Sequence, residues 1–386
     1  MKILIITNLF PNNQEPTRGI YNKQQFLELA KLCELEVVAP LPWYDNCKIP
    51  KRENIDGIDV YHPRYFMIPK FGRSLYGLFF YFSLIGNIKE IYKIFKFDII
   101  LATWAYPDGF GSFLISKVLN TPIIIKVHGT DINLHTKYLF LRKAIVYVLR
   151  NSNKVIAVSN ALKTRLVKIG VPEEKIVVIP NGVNLELFKP MDKDKCRNIL
   201  NLSLNGKIVL FIGNLVRIKG IEYLIEAFAL VSSMVKELCL VIGGDGPLRG
   251  KLVKRVKDLG LEGKVKFIGK KLHNEIPLWM NAADLFCLPS IMEGMPNVIL
   301  EALACKKLII ATSVGGIPEI ITSEDYGILV PTQDVAALAE AICMVFKNKW
   351  NPEILRRRAF EMDWRGNARR VWAELQIAVD NNPGEA

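Results

Sequence analysis

No C-x-x-C pair, no apolar run long enough to span a bilayer and no G-x-G-x-x-G after the first apolar segment occur in this chain. Each absence removes a class of protein. The seven cysteines (Cys33, Cys47, Cys196, Cys239, Cys287, Cys305, Cys343) stand singly, and three of them, Cys239, Cys287 and Cys343, lie in apolar runs where a thiol behaves as a small hydrophobe. That pattern excludes a disulfide framework and a zinc site, and it predicts a reducing compartment. The longest uncharged apolar stretch, Ser74 to Ile88, has 15 residues between Arg73 and Lys89, short of the roughly 20 that cross a membrane. The opening MKILIITNLF carries one lysine and a brief apolar run before Pro11, so it reads as a first strand and not as a secretory leader. A cytoplasmic location is expected, with peripheral contact to the inner face of the plasma membrane left open. The missing glycine fingerprint counts against a dinucleotide oxidoreductase, and no cluster with metal-ligand spacing is visible.

What is present is a long, well-mixed chain. At 386 residues, half hydrophobic and 23% charged, it has the composition of a folded protein and the length of two domains. Net charge is +13, and it is unevenly placed: residues 1–190 hold 25 Lys and Arg against 15 Asp and Glu, whereas residues 191–386 hold 26 against 23. An excess of this kind in the N-terminal half serves solubility, or it attracts an anionic lipid surface or a phosphorylated acceptor. No nucleic-acid-binding module accompanies the charge, so nucleic acid is not an expected partner.

Short β-rich runs alternate with helical patterns in both halves, which argues for mainly parallel sheets covered on both faces. We read residues 1–186 as an N-terminal domain, the polar stretch 187–206 as a linker, 207–363 as a second doubly wound domain and 364–386 as a C-terminal helix packing back toward the first. In such sheets ligands bind beyond the carboxyl ends of the strands. The loop after Thr7 places Arg18 and Gly19 before a helix, the loop after Val127 reads His128-Gly129-Thr130-Asp131, and IPNGVN ends a later strand. The second domain offers GNLVRIKG with Arg217 and Lys219, then GGDGP with Gly244. Its most informative stretch is SIMEGMPNVILE, where Glu293 and Glu301 stand eight positions apart at a strand-to-helix turn. Two carboxylates beside a helix start, which favours an anion, suit a ligand with both hydroxyls and phosphates. Two other stretches are read more plainly. Ser74 to Lys96 is a helix with its Leu and Ile in the core and its Phe/Tyr cluster, residues 79–82, suited to a membrane surface. Arg356, Arg357 and Arg358 read as a solvated helical face.

Together TRGIY, HGTD, IPNGVN, GNLVRIKGIEYLIEAF, GGDGP, VKFIG with ADLFCLPS, EGMPNVILEALA and SVGGIPEII resemble, over nearly the whole chain, the retaining glycosyltransferases of family 4. The resemblance implies the GT-B fold, α/β with two Rossmann-like doubly wound domains facing across a cleft. It implies a substrate in place of a cofactor, namely a nucleotide-diphosphate sugar, and an acceptor that is lipid-linked or a glycan. It further implies that Glu301 accepts from the ribose hydroxyls, that Glu293 sits against the donor sugar, and that Gly294, Met295, Pro296, Asn297 and Val298 bring backbone N–H groups to the sugar and phosphate. Lys219 would bind the diphosphate, His128 would lie by the anomeric centre, and Gly19 would border the diphosphate and acceptor. Gly244, Ile268 and Lys270 would line the ribose and base side. One departure is Asn214, where many relatives carry an arginine that shares the diphosphate contact; Arg217 is the candidate substitute. The expected activity is transfer of a hexose with retention and without a metal, in surface polysaccharide assembly. The alternatives are the same fold making a small soluble glycoside, and a non-catalytic sugar-nucleotide-binding subunit docked on a membrane.

Overall fold

Ile3–Ile6, Ile99–Ala102 and Ile123–Val127 are buried residue after residue, with none of the alternation of a strand that has one wet face. Such strands need helices on both sides of a parallel sheet, and the protein builds two of these. The computed structural model describes residues 1–45, 48–69, 72–348 and 350–381. It divides into one unit made of Met1–Asn181 with the C-terminal segment from Trp364, and a second made of Gly182–Asp363.

The first unit contains β1 (Lys2–Ile6), β2 (Glu34–Val38), β3 (Leu41–Pro42), β4 (Arg52–Ile55), β5 (Ile58–Tyr61), β6 (Arg64–Tyr65), β7 (Ile99–Thr103), β8 (Ile123–Val127), β9 (Lys154–Ala157) and β10 (Ile176–Val178). Eight of them form one sheet in the order β10-β9-β8-β7-β1-β2-β5-β4. All neighbours are parallel except β4 and β5, a hairpin whose strand Arg52–Ile55 is too polar to look like one in the sequence. The pair β3 and β6 stands apart. The C-terminal helix Trp364–Asp380 belongs to this unit's core. Its Ala368, Val371, Leu375 and Ala378 recur at helical spacing and pack with Ile3, Phe26, Ile99 and Ile124. Polar bonds fasten the same helix: Trp364 Nε1 donates to Gln24 Oε1 at 2.6 Å, Asn367 Nδ2 donates to Pro180 O, and Asn367 Oδ1 accepts from Gln25 Nε2.

The helix Tyr76–Phe95 is sorted by face and not by residue type. Gly77, Phe80, Leu84, Ile88 and Ile91 are buried, whereas Phe82 and Ile94 stand exposed. Leu84, Ile88 and Ile91 take the core as expected, while the Phe/Tyr cluster is split, with Phe80 buried and Phe82 exposed, since a helix buries every third or fourth position whatever occupies it.

The second unit contains β11 (Lys207–Ile212), β12 (Leu238–Gly243), β13 (Val265–Gly269), β14 (Leu285–Leu288), β15 (Leu308–Thr312) and β16 (Gly327–Val330), ordered β13-β12-β11-β14-β15-β16 and parallel throughout. In order of appearance this is the Rossmann sequence 3-2-1-4-5-6, which reverses direction between β11 and β14. The loops leaving those two strands flank the point where such sheets bind ligands.

Two readings of this half are corrected. Residues 187–206 are no free linker: the chain leaves the first unit at Asn181, and Lys193–Ile199 is a helix capped by Asp192, whose side chain accepts from Lys195 N at 2.8 Å. Arg197 on that helix is buried, donates to the carbonyls of Ala282, Leu204 and Gly206, and pairs with Asp284 at 2.6 Å. Polar residues there satisfy the neighbouring backbone and do not mark a solvated tether. Nor are the three arginines a uniform wet face. Arg357 is exposed, but Arg356 donates to Ala304 O at 3.0 Å, and Arg358 donates to Glu319 O and Ile320 O at 2.7 and 3.0 Å. They occupy the unpaired carbonyls at the ends of two helices, the site where a cation is favoured.

Among the described residues no helix is long and apolar enough to cross a membrane, and no group of three or more His, Cys, Asp or Glu could hold a metal ion. The six described cysteines carry free thiols; Cys47 lies outside the described residues.

Candidate active site

In the second unit β11 and β14 are hydrogen-bonded neighbours, with Val209 opposite Leu285 and Leu210 opposite Phe286, so their following loops emerge side by side. Ile291 N donates to Ile218 O at 2.8 Å and ties the loops together. The result is a close pair: Lys219 Nζ lies 2.6 Å from Glu293 Oε1, although 74 positions separate them. The same oxygen accepts from the Ser290 hydroxyl at 2.6 Å, and Ser290 is fully buried. Both charged side chains are largely sheltered, which strengthens their attraction relative to a surface pair. Arg217, in the same short turn as Lys219, is exposed and makes no ion pair among the described residues.

Glu301 lies inside the helix Asn297–Ala304 and is 8% exposed. Its Oε1 is 2.8 Å from His273 Nε2, and the His273 ring packs edge-on against the buried Phe188 at 5.1 Å. Pro296 stands at the N-cap of that helix; Met295 and Pro296 are buried, whereas Gly294, Asn297 and Val298 are half-buried. Gly316 N donates to Gly294 O at 2.8 Å, so the SVGGIPEII segment braces the EGMPN turn. Gly244 has a φ of +129°, and a Cβ there would stand 1.9 Å from Gly213 O, so the crossing of these two loops admits only glycine. Its N–H donates to Gly269 O at 2.8 Å. Ile268 is half-buried at the end of β13 and Lys270 is exposed just beyond it.

The first unit gathers a second polar cluster at the ends of β1, β7 and β8. Gly19 has a φ of +56° immediately before the helix Ile20–Leu29, and a Cβ there would stand 2.1 Å from Leu9 O. Arg18 donates to Asn8 O at 2.9 Å and pairs with Glu15, so it shapes the loop and is not left to solvent. Asn8 N donates to Asp108 Oδ2 at 2.7 Å; Asp108 is fully buried, and burial pushes its carboxyl up to about 8. His128 packs against the rings of Tyr21 and Trp104, at 5.2 and 6.1 Å. The residue is half-buried, but its Nε2 is out of reach of solvent and has no partner among the described residues. Burial, reinforced by Lys126, lowers the His128 pKa well below the ordinary histidine value and keeps the ring neutral. Asp131 closes the HGTD turn by accepting from Gly129 N at 2.8 Å, His128 N at 3.2 Å and Ala105 N at 3.0 Å. Burial still raises its pKa above the usual carboxylate range.

Of the residues singled out from sequence, the structure joins Lys219 with Glu293, and it places Glu301 and the Gly294–Val298 turn on the adjoining helix. His128 and Gly19 belong to the first unit's cluster. Sequence reasoning assigned no role to Ser290, His273, Tyr21, Trp104 or Asp108. Ser290 stands three positions before the carboxylate it bonds, a local contact that its place in the SIMEGMPN stretch could have signalled, whereas only the fold brings His273 to Glu301, 28 positions on.

The family description "Glycosyl transferases group 1" matches residues 192–362, and "Glycosyltransferase Family 4" matches residues 24–187. The chain is 29% identical to TuaC of Bacillus subtilis, named for teichuronic acid biosynthesis, over 92% of each chain. It is 30% identical to an uncharacterized glycosyltransferase of Methanocaldococcus jannaschii, over 78% of each. It is 28% identical to the UDP-Gal:alpha-D-GlcNAc-diphosphoundecaprenol alpha-1,3-galactosyltransferase of Escherichia coli, over 74% of this chain and 76% of that one. Among solved structures, Alr3699/HepE of Anabaena in complex with UDP and glucose superimposes with a TM-score of 0.76 at 23% identity, over 97% of this chain and 99% of that one. The chain is therefore a member of glycosyltransferase family 4, with the Rossmann-like units of the GT-B fold.

Proposed function

We propose that the protein moves a hexose from a nucleotide-diphosphate sugar to a lipid-linked or glycan acceptor in cell-surface polysaccharide synthesis, with retention of configuration and without a metal ion. The observation that carries this reading is the Lys219–Glu293–Ser290 arrangement at the point where the second sheet reverses. Breaking the bond from the anomeric carbon to the diphosphate leaves negative charge on the departing oxygen. An ammonium held beside it gains strength as that charge develops, which is the condition for catalysis. Ser290 makes the exchange feasible: its hydroxyl keeps Glu293 Oε1 partnered when Lys219 turns to the diphosphate.

In this reading Glu293 accepts from sugar hydroxyls, Glu301 from the ribose, the Gly294–Val298 backbone serves sugar and phosphate, and Gly244, Ile268 and Lys270 line the ribose and base side. Gly19 borders the diphosphate. Arg217 is a free cation in place of the arginine absent at Asn214. His128, held neutral, offers the sugar a hydrogen bond and not a charge.

The lipid-linked acceptor is supported by the first unit's surface. Trp43 stacks on Phe66 at 6.0 Å, and both are exposed, as are Phe82, Leu139 and Phe140. Arg73, Lys137, Arg142 and Lys143 accompany them, in elements that pack together around the helix Leu139–Asn151. Aromatic rings with lysine and arginine suit an anionic membrane surface.

Purified protein given a panel of UDP-, GDP- and ADP-hexoses with lipid-diphosphate acceptors should consume one donor, and EDTA should not stop it. Lys219→Ala should lower kcat about 10²–10³-fold, as expected for removing a preorganised charge. No turnover with any donor would overturn the activity. Turnover without sedimentation on anionic vesicles would move the acceptor to a small soluble molecule.

A further inference from the structure

We infer that His273 is a positioning residue for Glu301, holding one carboxylate oxygen so that the other is presented to the nucleotide's ribose. The inference deepens the proposed function, since it rests on Glu301 as the ribose acceptor. Glu301 is a sheltered carboxylate that no lysine or arginine pairs with among the described residues; its hydrogen-bond partner is the imidazole of His273, 2.8 Å from Oε1. An ionised carboxylate only accepts, so Nε2 carries the hydrogen and the bond sets the tautomer.

The ring is held in turn. His273 lies between β13 and the helix Ile276–Ala282, beside the strand end that carries Ile268, and its ring makes a T-shaped contact with Phe188 at 5.1 Å with the planes 63° apart. Phe188 is fully buried. Two constraints, one aromatic and one hydrogen-bonded, thus converge on an oxygen of a glutamate whose three side-chain torsions would otherwise sample several rotamers. A carboxylate reading vicinal hydroxyls needs its plane set before the ligand arrives, because orientation lost on binding weakens affinity. Oε1 is committed to His273, and Oε2 has no hydrogen-bond partner among the described residues.

A role confined to stability would leave hydroxyl recognition untouched; a positioning role would not. The test measures calorimetric affinity for UDP, GDP and ADP, each beside its 2′-deoxy and 3′-deoxy counterparts, in wild type, Glu301→Ala, His273→Ala and His273→Gln. Wild type should prefer the ribose form of the base it binds, and Glu301→Ala should abolish the preference. His273→Ala should weaken ribonucleotide binding about tenfold, the equivalent of one charge-assisted hydrogen bond, and collapse most of the discrimination. Its KM for the donor should rise more than its kcat falls. His273→Gln, which keeps a donor near the same place, should restore part of the preference. If His273→Ala fails to fold, Phe188→Leu, which loosens the ring and keeps the bond partners, should show an intermediate loss of discrimination. Full discrimination in His273→Ala or Phe188→Leu, with Glu301→Ala having lost it, would overturn the positioning role alone. Full discrimination in Glu301→Ala would overturn the ribose reading and the inference with it.

Discussion

Replacing Lys126 with methionine should change how the protein's stability depends on pH, and the structure sets the size and sign. Lys126 is on β8, fully buried, with Nζ 2.9 Å from Gln25 Oε1, 3.4 Å from Asn181 Oδ1 and 5.9 Å from the centre of the Trp364 ring. No carboxylate pairs with it among the described residues. Burial pushes its pKa from 10.5 down to about 7. The folded value lies below the unfolded one, so between about pH 7 and 10 the unfolded chain holds a proton that the native state does not, and stability rises with pH. The cost of burying this lysine is about 4 kcal/mol at pH 7 and about 2 kcal/mol at pH 9, at 1.36 kcal/mol per unit. Methionine has no such titration. It leaves Gln25 and Asn181 short of a donor, at about 1–3 kcal/mol, but that loss is the same at each pH in the window. Urea unfolding at pH 7, 8 and 9 should therefore show wild type gaining about 2 kcal/mol on Lys126→Met across the range. Taking the difference between the two proteins removes every other titrating group. Parallel profiles would refute the reasoning and show that the native protein keeps Lys126 charged.

Asp108→Asn should act in the opposite sense. The buried carboxyl, pushed up to about 8 from 3.8, keeps in the native state a proton that the unfolded chain releases, so wild-type stability falls as pH rises between those values. The variant, which keeps an acceptor for Asn8 N, should gain on wild type by up to about 1.4 kcal/mol per pH unit from pH 5 to 8 in the same assay, and an unchanged slope would contradict the burial argument. Arg197→Ala should cost about 3–5 kcal/mol, because the carbonyls of Ala282, Leu204 and Gly206 lose their donor and Asp284 loses its buried partner, keeping only Lys193 at 3.1 Å and Ile208 N at 2.8 Å. Thermal unfolding would detect it, and a loss under about 1 kcal/mol would return residues 187–206 to the status of a tether.

Much of the fold could be read in advance because its signals are local. Buried parallel strands announce themselves as runs such as IILAT and LIIAT, and glycine before a helix, as at Gly19 and Gly220, marks loops that follow them. The polar hairpin strand Arg52–Ile55 escaped because its pairing with Ile58–Tyr61, and not its composition, makes it a strand. The stretch 187–206 was misread for the converse reason. Its charges suggested solvent, yet Arg197 is among the most deeply buried side chains, a fact that depends on carbonyls up to 85 positions away and on Asp284, 87 positions away.

The site divides in the same way. Chain order alone established the glutamates at 293 and 301, the lysine at 219, the HGTD turn and the family they resemble, because each lies within a short motif whose spacing is its meaning. Tertiary structure decided the partners. Lys219 meets Glu293 only because β11 and β14 are adjacent where the sheet reverses. His273 reaches Glu301 only because the end of β13 and the helix Asn297–Ala304 converge. Lys126 is buried, and its pKa lowered, where the C-terminal helix returns after an intervening 182 residues to lay Trp364 against it. Spacing along a chain encodes which groups are available, whereas strand order and burial determine which of them touch and at what pKa.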